Sequence, residues 1–124
     1  NTFMMADYVV PNSYSPVIIA SEANIAQRKE ENSSFLSATK EGFMYTISNP
    51  EEAAEILKRK MAESDSEMNI VDAIKYSVNY FGDTNTWGKM ELNNIQRYLD
   101  WIYKNNLESK SIKVEDMITD ELLS

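Results

Sequence analysis

The stretch Ser33–Leu57, SSFLSATKEGFMYTISNPEEAAEIL, decides how this chain folds, because it encodes two helices joined by a stop and an immediate start. Asn49 stands at the cap position and Pro50 suits the first helical residue, where an amide N–H is dispensable. Glu51 and Glu52 then put carboxylates at the positive end of the new helix. Upstream, Phe35, Ala38, Gly42 and Tyr45 follow one stripe at helical spacing, while Leu36, Phe43 and Ile47 follow a neighbouring one. More than half of the circumference is apolar, which predicts a helix packed on more than one side. Gly42 inside it costs about 1 kcal/mol relative to alanine, and the expected compensation is the close approach of another backbone.

Working outward toward the C-terminus, the chain stays helical. Lys58, Arg59 and Lys60 fall where cations complement a helix end, and an acidic linker, AESDSE, follows at 62–67. The spacing of Val71, Ile74, Val78 and Phe81 predicts a helix over 67–81, stopped by Gly82, and GDTNT after it is a loop of turn formers. Residues 90–106 read as a long helix with a core stripe of Leu92, Ile95, Leu99 and Ile102, widened by Tyr98, Trp101 and Tyr103. Val114, Glu115 and Asp116 begin a last turn before ITDELL.

Toward the N-terminus, residues 22–31 make a short polar helix, and before it lie two strand candidates, 3–10 and 16–20, separated by PNSYS. Val17-Ile18-Ile19-Ala20 is the unbroken apolar run of a strand covered on both faces, as in a parallel sheet flanked by helices. Such a strand needs neighbours. Nothing after residue 20 reads as one, so the chain is expected to be a piece of something larger or to borrow a strand from a partner.

Composition narrows the function. The 124 residues suit one domain with a modest core, and a net charge of −8 argues against nucleic acid or anionic membrane, which need clustered Lys and Arg. The chain contains no cysteine and no histidine, which removes disulfides, thiolate nucleophiles, the commonest general base and the commonest zinc ligand. Neither a spanning segment nor a signal peptide pattern is present.

The pattern F-L-x-A-T-x-x-G-x-x-Y-x-I-x-N-P-E-E-A-A at 35–54 resembles the C-terminal part of the solute-binding proteins of bacterial ABC importers. The family includes binders of the thiamine pyrimidine precursor and relatives that bind nitrate, sulfonates such as taurine, or riboflavin. Three further stretches share the resemblance: DYVVPNSYSPVI at 7–18, like the segment that crosses between lobes; Trp87-Gly88; and RYLDWIYKNNL at 97–107 with ITDELL at 118–123. Asp120 departs from the family's usual Asn.

The resemblance implies the trailing, mostly α portion, with one or two short strands, of a two-lobed α/β periplasmic-binding-protein fold of type II. Residues 1–20 would be the crossing and 21–124 the helical remainder of a single partial domain. It also implies an extracytoplasmic location, as a cell-surface lipoprotein or in the periplasm, with export signal and anchor in a preceding part.

Four kinds of chemistry can be weighed. Catalysis without Cys or His would need paired carboxylates or a Lys or Ser nucleophile. Yet Glu30-Glu31, Glu51-Glu52 and Asp120-Glu121 all lie at helix ends, where capping explains them. Fungal thiamine-pyrimidine synthases share the fold but use Cys- and His-bearing motifs, so an enzyme is not expected. Asp65, Glu67, Asp72 and Asp83 lack the spacing of a calcium loop, and neither metal nor cofactor is expected.

Small-molecule binding is the strongest reading: in the resembling proteins the crossing segment passes the edge of the solute. That makes Tyr8, Asn12, Tyr14 and Ser15 the candidate ligand-binding residues, with Tyr14 able to stack on a flat ring or donate its hydroxyl. Trp87 is expected to be architectural. The partners are then a small solute and an ABC permease, the latter met through the acidic helices 22–31 and 50–62. The apolar start, Phe3-Met4-Met5, is expected to leave an edge open to strand pairing and homodimerisation. The alternative from another class is a small helical protein-interaction module.

Overall fold

The computed structural model describes residues 10, 11, 13–61 and 69–123. The expected strand at 3–10, apart from Val10, and the linker at 62–67 lie outside them. Among the described residues the regular structure is five α-helices: α1 (Glu22–Gln27), α2 (Lys29–Ser48), α3 (Pro50–Lys58), α4 (Ile70–Ser77) and α5 (Leu92–Lys104), with 3-10 turns at Val78–Tyr80 and Val114–Asp116.

The described chain divides into two compact units. One takes in the residues up to Lys29 together with Lys89–Leu122, the other Glu30–Gly88 together with Leu123.

The second unit contains the junction that anchors the sequence reading. α3 begins with Pro50 in its first turn, as expected, but Asn49 does not cap it: its side chain donates back to the Tyr45 carbonyl at 3.2 Å. The reason is local competition. The last carbonyls of α2 are orphaned too, and an Asn amide can serve either end. Across the junction the Glu52 carboxylate holds the Tyr45 hydroxyl, which pushes the phenol pKa up.

α3 packs on α4 through Ala54, which is wholly buried, and Ile70, 4% exposed. Asn69 caps α4, its side chain accepting the Asp72 N–H at 3.2 Å, and Lys75 reaches across to Glu51 at 2.7 Å. The helix predicted over 67–81 is thus shorter, its last turn tightened to 3-10 form before Gly82 at φ 76°. Phe43 of α2 meets Phe81 edge-on with ring centroids 4.7 Å apart, and Trp87 at 5.5 Å. Leu123 closes over Gly88.

Two expectations for α2 are corrected. No residue of this 20-residue helix is buried, and Phe35 and Tyr45 are 59% and 40% exposed, so it is not enclosed on several sides. Among the described residues nothing approaches within 4 Å of where a Cβ of Gly42 would lie, so no close backbone among them explains that glycine. The apolar circumference is real, but the described residues supply too few neighbours to cover it.

In the first unit, Ser21 caps α1 by accepting the Asn24 N–H at 3.2 Å, and the polar helix predicted over 22–31 breaks at Arg28, whose ψ of 38° ends the α1 ladder. α5 buries Leu99, with Ile95 and Ile102 half-buried, while Leu92 of the predicted stripe is 46% exposed. Tyr103 accepts the Ile112 N–H at 2.9 Å, tying the segment after α5 back onto it, and Val114 and Leu122 complete the small core.

The strand expected at 16–20 does not form. Val17, Ile18 and Ile19 are irregular and 49%, 55% and 87% exposed. A strand exists only through a ladder with a neighbour, and no strand occurs among the described residues.

Candidate functional site

The candidate residues divide at once. Tyr8 and Asn12 lie outside the described residues, and Ser15 is exposed. Tyr14 is half-buried within the first unit, and its hydroxyl is engaged: it accepts the backbone N–H of Glu91 at 2.8 Å and the Asn94 side-chain amide at 3.4 Å, partners 77 and 80 positions away. Glu91 is the cap residue of α5 and makes no side-chain cap bond of its own. Tyr14 therefore satisfies a free donor at the start of that helix. Asn94 in turn accepts from the Arg97 guanidinium on the same helix.

Beside this tether, an open cleft of about 510 Å³ runs between the start of α5 and the turn that follows Val114, with Met90, Glu91, Leu92, Glu115, Ile118 and Asp120 among its lining residues. Its chemistry is mixed, three carboxylates against three apolar side chains. Among the described residues no cluster of three or more His, Cys, Asp or Glu is placed to hold a metal ion. No described helix is long and apolar enough to cross a membrane.

The resolved electrostatic shifts all belong to exposed surface pairs. Lys75 holds the Glu51 carboxyl below its ordinary value and is itself raised; beside Lys58 the Glu55 carboxyl is lowered. The backbone N–H groups of Lys110 and Ser109 lower Glu108, which accepts both at 2.8 and 2.7 Å. The hydroxyl contact with Tyr76, 3.0 Å long, raises Tyr80. Each is a helix-surface or turn interaction. Trp87 packs on Phe43 and carries the turn into Gly88, an architectural placement.

Glu91 and Asn94 had no signal in the sequence as partners of Tyr14, nor Arg97 as the partner of Asn94. The only available hint was that Glu91 directly precedes an apolar stripe, a place where a helix start needs satisfying.

Residues 1–53 match the protein family described as NMT1/THI5 like, a match that spans all four candidate residues and the turn from α2 into α3. It covers rather less than half of the 124 residues. The match supports an ABC-type solute-binding role. No curated protein matches the chain, and no solved structure does.

Proposed function

We propose that this chain forms the trailing part of an extracytoplasmic solute-binding protein serving an ABC importer, with the thiamine pyrimidine precursor as its solute. The observation that carries this is the family match over residues 1–53, because it contains the segment on which the candidate residues sit. The apolar run Val17–Ile19, exposed here, supports the same reading: its composition suits a strand of a covered sheet contributed by a larger body.

In that body, residues 1–20 cross between two lobes, and Tyr8, Asn12, Tyr14 and Ser15 border the solute. Closure is favoured because the solute contacts both lobes and so binds the closed form more tightly. The permease would meet the acidic faces of α1 and α3, and anchoring would fall to a preceding segment.

The test is a thermal-shift series on the full-length protein with the pyrimidine precursor, riboflavin, taurine and nitrate. The pyrimidine is expected to raise the melting temperature, by an amount that grows with concentration. A shift with one of the other three and none with the pyrimidine would reassign the solute.

A second reading draws on the exposed Phe35 and Tyr45 of α2: a helical module whose apolar face docks on a protein. An absence of any solute-induced shift, with a stable complex recovered through α2, would favour it.

A further inference from the structure

We propose that the Tyr14 hydroxyl meets the solute only as a hydrogen-bond donor, and so selects solutes that present an acceptor at that point. The proposal rests on the reading of Tyr14 as a solute-binding residue. A tyrosine hydroxyl has one proton to give and two lone pairs to offer. The Glu91 N–H, a backbone donor with no other chemistry, occupies one lone pair at 2.8 Å.

The second neighbour is the Asn94 amide at 3.4 Å, whose two ends could face either way in principle. Arg97 removes the choice. A guanidinium only donates, so the Asn94 oxygen must face it, and the NH₂ group is left toward Tyr14. Both neighbours of the Tyr14 oxygen are therefore donors, and its own proton has no acceptor among the described residues.

The consequence is chemical selectivity. An unprotonated ring nitrogen, a carbonyl or an anionic oxygen completes the hydroxyl's set, whereas an N–H or ammonium would be a third donor to an oxygen with no lone pair to spare. Donation to the solute also polarises the hydroxyl and strengthens the bond it accepts from Glu91, so occupancy tightens the start of α5.

The experiment measures affinity of the full-length protein for whichever of the pyrimidine precursor, riboflavin, taurine and nitrate binds, in the unchanged protein and four altered forms. Replacing Tyr14 by 3-fluorotyrosine makes the phenol a better donor and a poorer acceptor while keeping its shape; affinity is expected to rise, and a fall overturns the proposal. Tyr14→Phe is expected to weaken binding roughly three- to tenfold, the loss of one neutral hydrogen bond.

Asn94→Asp sets an acceptor against the hydroxyl and diverts its proton. It sits in the first turn of α5, where a carboxylate suits the helix dipole, so the fold is retained. Its expected loss equals that of Tyr14→Phe, and the double variant is expected to be no worse than either alone. Full affinity in Asn94→Asp beside a loss in Tyr14→Phe overturns the donor assignment and leaves the site standing. Unchanged affinity in Tyr14→Phe, or no binding of any of the four solutes, overturns the solute-site reading itself, and the proposal with it.

Discussion

Gly88 and Gly42 show how differently two glycines can be constrained. Gly88 has φ 79°, and a Cβ there would lie 3.0 Å from Leu123 Cδ2, so the residue is fixed by both backbone and packing. Gly88→Ala is expected to destabilise the fold by about 1–2 kcal/mol, the cost of a left-handed conformation with a side chain. Gly42 sits mid-helix with open space around it, and Gly42→Ala is expected to stabilise by about 1 kcal/mol. Urea unfolding of the two variants checks both signs. A loss of stability in Gly42→Ala would mean that some other backbone does lie against that face. The sequence could announce both positions as special but not say which was crowded, since crowding depends on what arrives from elsewhere in the chain.

At the scale of elements, the pairing of α3 with α4 is the best-defined packing in the second unit. Ala54 is wholly buried there, a small side chain on the packed face of α3. The Glu51–Lys75 pair adds a pH-dependent clasp on its rim. Glu51 is lowered in the folded state, so its contribution is present at neutral pH. It starts to be lost as pH falls into the ordinary glutamate range, and it is gone below the lowered value. Lys75 is raised, so its side of the pair is fully present below the ordinary lysine range, starts to be lost as pH rises into it, and is gone above the raised value. Lys75→Met is expected to flatten the acid limb of the stability profile while leaving the packing unchanged, measured as melting temperature against pH; an unaltered acid limb would show the pair to be energetically silent. The helix start at Pro50 was readable from the sequence, whereas the start at Ile70 was not, the spacing there predicting a helix from residue 67. The use of Asn49 was not, because its amide serves the helix behind it instead of the one ahead.

At the scale of the whole molecule, each unit has a small core, Ala54 and Ile70 in one, Leu99, Val114 and Leu122 in the other, beside a conspicuous amount of exposed apolar surface. Val17–Ile19 is the sharpest case. Ile19→Lys is expected to leave the thermal stability of the 124-residue chain unchanged within about 0.5 kcal/mol, as for any exposed site, and to reduce self-association in sedimentation. In a longer protein where the run is a covered strand, the same change is expected to destabilise strongly, since it would bury an unpaired charge. Equal effects in both settings would remove the case for a missing sheet.

What the sequence determined by itself is local: helix existence and approximate limits, the stop at Gly82, the start at Pro50, the absence of His and Cys chemistry, and the strand-like character of 17–20. These follow from propensity, capping and periodicity, which act over a few residues. What only tertiary structure decided is long-range: Tyr14 reaching across to Glu91 and Asn94, Lys75 to Glu51, Phe43 to Phe81 and Trp87, and the failure of 17–20 to become a strand at all. A hydrogen bond or a ladder needs two partners, and one stretch of sequence specifies only its own half.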